Sequence, residues 1–120
     1  MTERDRVVLD KMLQYCNEVQ QTHHYFGDDE SIFVNLSNPN SVVYKNAVTM
    51  PILQIGELAK QLSKDFINEH SEIPWKSIMG MRDIFAHHYG SVRLEDIWET
   101  SHTDVDKLRR FLTGVLKSFE

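Results

Sequence analysis

Apolar residues recur every three or four positions along most of this chain, and no segment alternates apolar with polar residues as a half-buried strand would. That periodicity restricts the fold to helices packed face to face. The breaks between helices stand out because only five Gly and three Pro punctuate 120 residues. Thr2 and Asp5 have the spacing of a capping box, and Leu9, Met12, Cys16 and Val19 follow on one face. This predicts a first helix to about Thr22, closed by His23 to Gly27. The acidic start and short length of DDESIFVNLS suit a brief helix. Asn38 then reads as an N-cap with Pro39 at the first helical position. It precedes a long stripe of Val48, Ile52, Ile55, Leu58, Leu62 and Phe66, which marks one central helix. Pro51 falls inside that helix and should bend it, while Gly56 beside the stripe admits a second backbone.

Pro74 opens the next helix, WKSIMGMRDIFAHHY, which Gly90 is placed to end in a left-handed conformation. Ile97, Val105, Leu108, Leu112, Val115 and Phe119 keep a helical spacing to the end, with a break expected near Thr103. The expectation is an all-α, up-and-down bundle of four to five helices, with residues 1–120 as one domain.

The formal net charge of −5 repels polyphosphates overall, which argues against a DNA-coating protein but leaves room for a local cationic site. The one cysteine, Cys16, can form neither an internal disulfide nor a cysteine-based zinc site. The opening MTERDRVVLDKML is too charged for a signal peptide or a membrane span, so a cytoplasmic protein is expected. His23-His24 and His87-His88 invite a metal reading. Adjacent helical residues point about 100° apart, however, and make no close chelate, so no metal and no cofactor is expected.

The stretch MRDIFAHHYG carries Arg82, His87 and Tyr89 in the pattern R-x-x-x-x-H-x-Y. With six Arg and six His in 120 positions, chance supplies about 0.3 such Arg–His pairs. Requiring Tyr two residues later lowers this to about 0.01, so the full pattern is specific. With it come Gly56-Glu57 in the central helix and Ile73-Pro74-Trp75 ahead of the motif.

On these residues the chain resembles HEPN-domain proteins, and within them the HepT-like toxins that are paired with minimal nucleotidyltransferase antitoxins. The resemblance implies a metal-independent endoribonuclease acting as a homodimer, with the motif helices of both subunits forming one cleft. It also implies that Tyr89 is the residue to which the partner enzyme adds AMP, silencing the toxin. Asn commonly follows the motif arginine in such proteins, whereas Asp83 stands here and adds a negative charge.

The residue types suit that chemistry. Cutting RNA without a metal needs a base for the ribose 2′-hydroxyl and a fixed cation for the phosphorane. An imidazole such as His87 exchanges protons near neutrality, and a guanidinium such as Arg82 can hold two phosphate oxygens. On an ideal helix, positions five apart lie about 140° around and 7.5 Å along the axis, so one helix makes a poor Arg–His dyad and a dimer is expected. Asp83 and His87 form an i,i+4 pair, through which Asp83 is expected to orient His87; His88 has a supporting role. Positions seven apart share a face, which places Tyr89 two turns from Arg82 on the same side, and a phenol at a helix end beside Gly90 is expected to protrude.

Blander roles compete with these. Arg82 can pair with Asp83 or Glu57 as a surface arginine, His87 can be a hydrogen-bonded structural histidine, and Tyr89 can simply pack. Trp75, Trp98, Phe85 and Phe111 read as core or dimer anchors, and Lys107, Arg109 and Arg110 as a solvated face. The competing function is a non-catalytic helical module that docks a nucleotidyltransferase or a nucleotide.

Overall fold

The structure, a computed structural model that describes residues 1–119, is helical, with no strand among the described residues. Helix α1 spans Glu3–Tyr25, α2 Glu30–Val34, α3 Pro39–Ala59, α4 Lys64–Glu69, α5 Trp75–His87, α6 Leu94–Glu99 and α7 Val105–Lys117. A π-helical turn over Thr100–Asp104 joins α6 to α7, at the place where a break is expected near Thr103. The bundle thus has four long helical stretches, α1, α3, α5 and the rod α6–α7, with α2 and α4 as short connectors. Among the described residues no helix is long and apolar enough to cross a membrane.

The capping box forms as its spacing predicts: Asp5 N–H donates to Thr2 Oγ1 at 3.0 Å, and Thr2 N–H donates to Asp5 Oδ2 at 3.4 Å. Asp5 does more than cap α1. Its carboxylate also accepts from Ser63 N–H at 2.8 Å and from Ser63 Oγ at 2.6 Å, tying the start of α1 to the start of α4. Burial pushes this carboxyl up, but the bonds from Ser63 and Thr2 outweigh burial and hold it below the ordinary aspartate value.

Here the structure corrects the sequence reading. The stripe from Val48 to Phe66 is not one helix: α3 stops at Ala59, and Ser63, in an extended conformation, caps α4 by accepting from Phe66 N–H at 3.2 Å. Leu62 and Phe66 are buried all the same. Their spacing reported burial, not continuity of the helix. Gly90 is a second correction. Helix α5 ends at His87, His88 is its C-cap, and Gly90 lies in a 3-10 turn over Tyr89–Ser91 without a left-handed φ. Left-handed backbone occurs instead at Gly27 and Asp28, where α1 ends.

The core lies between α1, α3 and α7, filled by Leu9, Met12, Cys16 and Val19, by Val48, Ile52 and Ile55, and by Leu108 and Leu112. Trp75 and Phe85 are buried in it, and Trp98 and Phe111 pack against it half-buried, which makes all four core residues. Helices α1 and α3 run antiparallel, because Asp5 meets Ser63 at one end and His23 meets Tyr44 at the other.

His23, 3% exposed, is the buried polar hub of that second end. Ser101 Oγ donates to Trp98 O at 3.1 Å, so it accepts from His23 Nε2–H at 3.0 Å. His23 Nδ1 is thereby left to accept from the Tyr44 hydroxyl. This arrangement satisfies the neutral imidazole completely and has no acceptor for a second ring proton. Burial, and after it the neighbouring His102, pushes His23 down to about 4 from its ordinary 6.5. The unfolded chain therefore takes up the proton first. Stability should be complete above pH 6.5 and fall by about 3 kcal/mol as the pH drops towards 4. Urea midpoints across that range should fall more steeply for the native chain than for His23→Gln; parallel curves would refute this role.

Candidate active site

The site is built on a close approach of α5 to α3. A Cβ on Gly56 would lie 2.7 Å from Arg82 Cβ and 2.9 Å from Ile78 O, so only glycine lets the two helices meet there. The helices are antiparallel, since Gly56 faces Ile78 and Arg82 while Asn46 and Thr49, one end nearer, face Tyr89. This contact lays the stem of Arg82 on α3 next to Glu57, and Arg82 Nε pairs with Glu57 Oε2 at 3.0 Å.

The other side of the guanidinium meets Asp83, with NH1 3.3 Å from Asp83 Oδ1. Both carboxylate partners that the sequence allowed for Arg82 are thus engaged. Lys60, the C-cap residue of α3, places Nζ 3.2 Å from the same Asp83 oxygen. The bond from Lys60 is the largest influence on the Asp83 carboxyl; burial opposes it, and the charge of Lys60 and the bond from Arg82 add to the lowering, so the group is held below its ordinary value.

The expected Asp83–His87 pair does not form. Asp83 turns to Lys60 and Arg82 and makes no hydrogen bond or ion pair with His87 among the described residues. The reason is tertiary: a lysine from α3 competes with an imidazole one turn away on the same helix, and its fixed charge wins. His87 and His88 are both exposed at the end of α5. They are free to meet a ligand from outside.

Tyr89 also departs from expectation. The helix has ended before it, so it does not share a face with Arg82 and does not protrude. Its half-buried ring lies on α3, its hydroxyl donates to Asn46 Oδ1 at 2.6 Å with Thr49 Oγ1 at 3.4 Å, and Lys45 Nζ sits 4.5 Å from the ring centroid. Burial raises the phenol above its ordinary value, partly offset by the bond to Thr49.

Sequence reasoning missed Lys60, Lys45 and Asn46. Lys60 lies one helical turn beyond Glu57, a spacing that could have flagged it, but nothing local marks Asn46 as the seat of a tyrosine hydroxyl. A cavity of about 500 Å³ bounded by Ile52, Ile55, Ile78, Met81, Val105 and Leu108 opens between α3, α5 and α7; none of the motif residues lines it. Among the described residues no group of three or more His, Cys, Asp or Glu is arranged to hold a metal ion.

Fold and site together define a helical-bundle protein that presents an Arg-x4-His-x-Tyr motif at a helix end, with the arginine pinned and the histidines open to solvent. The chain belongs to the ribonuclease HepT-like family, which it matches over residues 12–115. It is 31% identical over its whole length to "Putative RNase MJ1216" of Methanocaldococcus jannaschii, covering 94% of that protein. It is 41% identical to "Putative RNase TTE0752" of Caldanaerobacter subterraneus, with 52% of this chain matched to 56% of the relative. It is 36% identical to "Probable ribonuclease HepT" of Thermococcus cleftensis, with 52% matched to 57%. The chain thus spans little more than half the length of these last two relatives. No solved structure matches it significantly.

Proposed function

We propose that this protein is a cytoplasmic ribonuclease that cleaves RNA without a metal, at a site completed by a second copy of itself. One observation carries the reading: the motif of a ribonuclease HepT-like chain stands at the end of α5 with Arg82 fixed on α3 and with His87 and His88 exposed. An exposed apolar strip beside it supports a homodimer. Val43 and Met50 on α3 are 57% and 59% exposed and lie in line with Glu57 at heptad spacing, and Ile84 on α5 is 47% exposed. A twofold axis through that strip would bring Arg82 of one copy towards His87 of the other.

In the proposed reaction His87 takes the proton of a ribose 2′-hydroxyl, the 2′ oxygen bonds to phosphorus, and the bond from phosphorus to the 5′ oxygen breaks. A second imidazole, His88 or His87 of the other copy, returns a proton to the leaving oxygen. Arg82 stabilises the charge on the phosphorane oxygens. The products are a cyclic phosphate and a 5′-hydroxyl.

The same reading makes the protein a toxin whose antitoxin is a minimal nucleotidyltransferase. Its target is Tyr89, whose phenol oxygen would attack the α-phosphorus of a nucleoside triphosphate, with pyrophosphate leaving. The attached AMP adds bulk and negative charge two residues beyond His87, where an incoming RNA would be crowded and repelled. Since the Tyr89 hydroxyl is held by Asn46, modification requires the turn at 89–91 to lift from α3.

A second reading, the non-catalytic module that docks a nucleotidyltransferase or a nucleotide, is favoured by the two carboxylates that already occupy Arg82. The experiment that separates the readings incubates several RNAs in excess EDTA with the native chain, Arg82→Ala and His87→Ala. Cleavage by the native chain alone is expected. Equal cleavage by all three would point to a contaminant, and no cleavage together with tight nucleotidyltransferase binding would establish the module.

A further inference from the structure

Asp83 places a single carboxylate oxygen 3.2 Å from Lys60 Nζ and 3.3 Å from Arg82 NH1. Two cations from different helices thus converge on one anionic oxygen. The two cations start from defined places: Lys60 is the C-cap residue of α3, and Arg82 is pinned by the Gly56 contact and by Glu57 on its Nε. The Asp83 side chain, by contrast, is more than half exposed and held by these two ion pairs alone. A phosphate oxygen is the same kind of acceptor and makes the same charge-assisted bonds to ammonium and guanidinium.

We infer that Lys60 and Arg82 form a two-cation seat for an RNA phosphate, in which the Asp83 carboxylate sits as an internal competitor that the substrate displaces. The naming of RNA as the ligand rests on the ribonuclease reading above. Lys60 is then a substrate-binding residue on α3, outside the motif, and Asp83 sets how tightly the site takes RNA. Exposed ion pairs are weak enough for a phosphate to replace. The carboxylate nevertheless penalises binding, because two ion pairs must break before the phosphate makes its own.

Binding is measured by fluorescence anisotropy with a labelled single-stranded RNA oligonucleotide over a salt series. All proteins carry His87→Ala so that the RNA stays intact, and thermal melting confirms that each is folded. Adding Asp83→Asn should tighten binding by about three- to tenfold, because it keeps the side chain's size and removes its charge. Adding Lys60→Gln to that protein should weaken binding again and lower the slope of log affinity against log salt by about 0.7, the loss of one phosphate contact on a single strand. If Lys60 serves only to restrain Asp83, its removal will be silent once Asp83 is neutral; an unchanged affinity and slope in the Lys60→Gln/Asp83→Asn protein overturns the seat. Failure of every version to bind RNA overturns it too. The ribonuclease reading fails separately: a Lys60-dependent salt slope in a chain that never cleaves RNA would keep the seat and end the nuclease. Cleavage that needs His87 but ignores Lys60 in binding would do the reverse.

Discussion

RNA cleavage by the His87→Ala protein should fall by about 10²- to 10⁴-fold, the usual contribution of a positioned acid or base, while its unfolding free energy stays within about 0.5 kcal/mol of native. The pairing of those two outcomes is what tests the role. His87 is exposed at the last position of α5 and its imidazole makes no hydrogen bond or ion pair among the described residues, so nothing in the fold depends on it. A structural histidine behaves oppositely, and the chain contains one for comparison. His23 is buried between Tyr44 and Ser101, and its replacement by alanine should lower stability by leaving the buried Tyr44 hydroxyl without an acceptor. Cleavage rates and urea unfolding of both variants decide the matter. A His87→Ala protein that cleaves at the native rate, or that loses activity only because it unfolds, would remove His87 from the chemistry.

Gly56→Ala should destabilise the chain by about 1–3 kcal/mol and reduce cleavage by about 10²-fold. Helix propensity alone predicts the opposite sign, since alanine in a helix interior is favoured over glycine by about 1 kcal/mol. Packing overrides propensity here because of what the methyl group meets. It would lie 2.7 Å from Arg82 Cβ and 2.9 Å from Ile78 O, atoms fixed to the α5 backbone that cannot swing aside. Helix α5 must therefore move as a unit, and it carries Arg82 and His87 with it. Displacement draws Arg82 away from Glu57, the contact that fixes its guanidinium. Urea unfolding and single-turnover cleavage would measure the two effects. A Gly56→Ala chain at least as stable as native and fully active would show that the helices have room to spare.

Much of this architecture could be read from residues in order. Thr2 and Asp5 announced the start of α1, Asn38-Pro39 the start of α3, and the apolar stripes told which faces are buried. The errors share one cause. Leu62 and Phe66 kept the helical spacing across a turn because burial, not helicity, selects apolar residues, and at that turn Ser63 bonds to an aspartate 58 residues earlier in the chain. Gly90 was expected to end α5, but Tyr89 found Asn46 and Thr49 on α3, and the helix closed earlier. At the candidate site, the motif of Arg82, His87 and Tyr89 was visible in their spacing, and so were both carboxylates that pair with Arg82. The partner of Asp83 was not, because Lys60 comes from another helix.

Local periodicity and capping chemistry determined, from the residues alone, that this chain is all helix, where most of its helices begin, and which motif it displays; these depend on neighbours within a few positions. Only the packed structure decided where the long stripe breaks, which cation Asp83 takes, and that Tyr89 lies against α3. Each of those outcomes is a competition between a local partner and a distant one, and the distant partner enters only when helices antiparallel in space bring together groups separated along the chain.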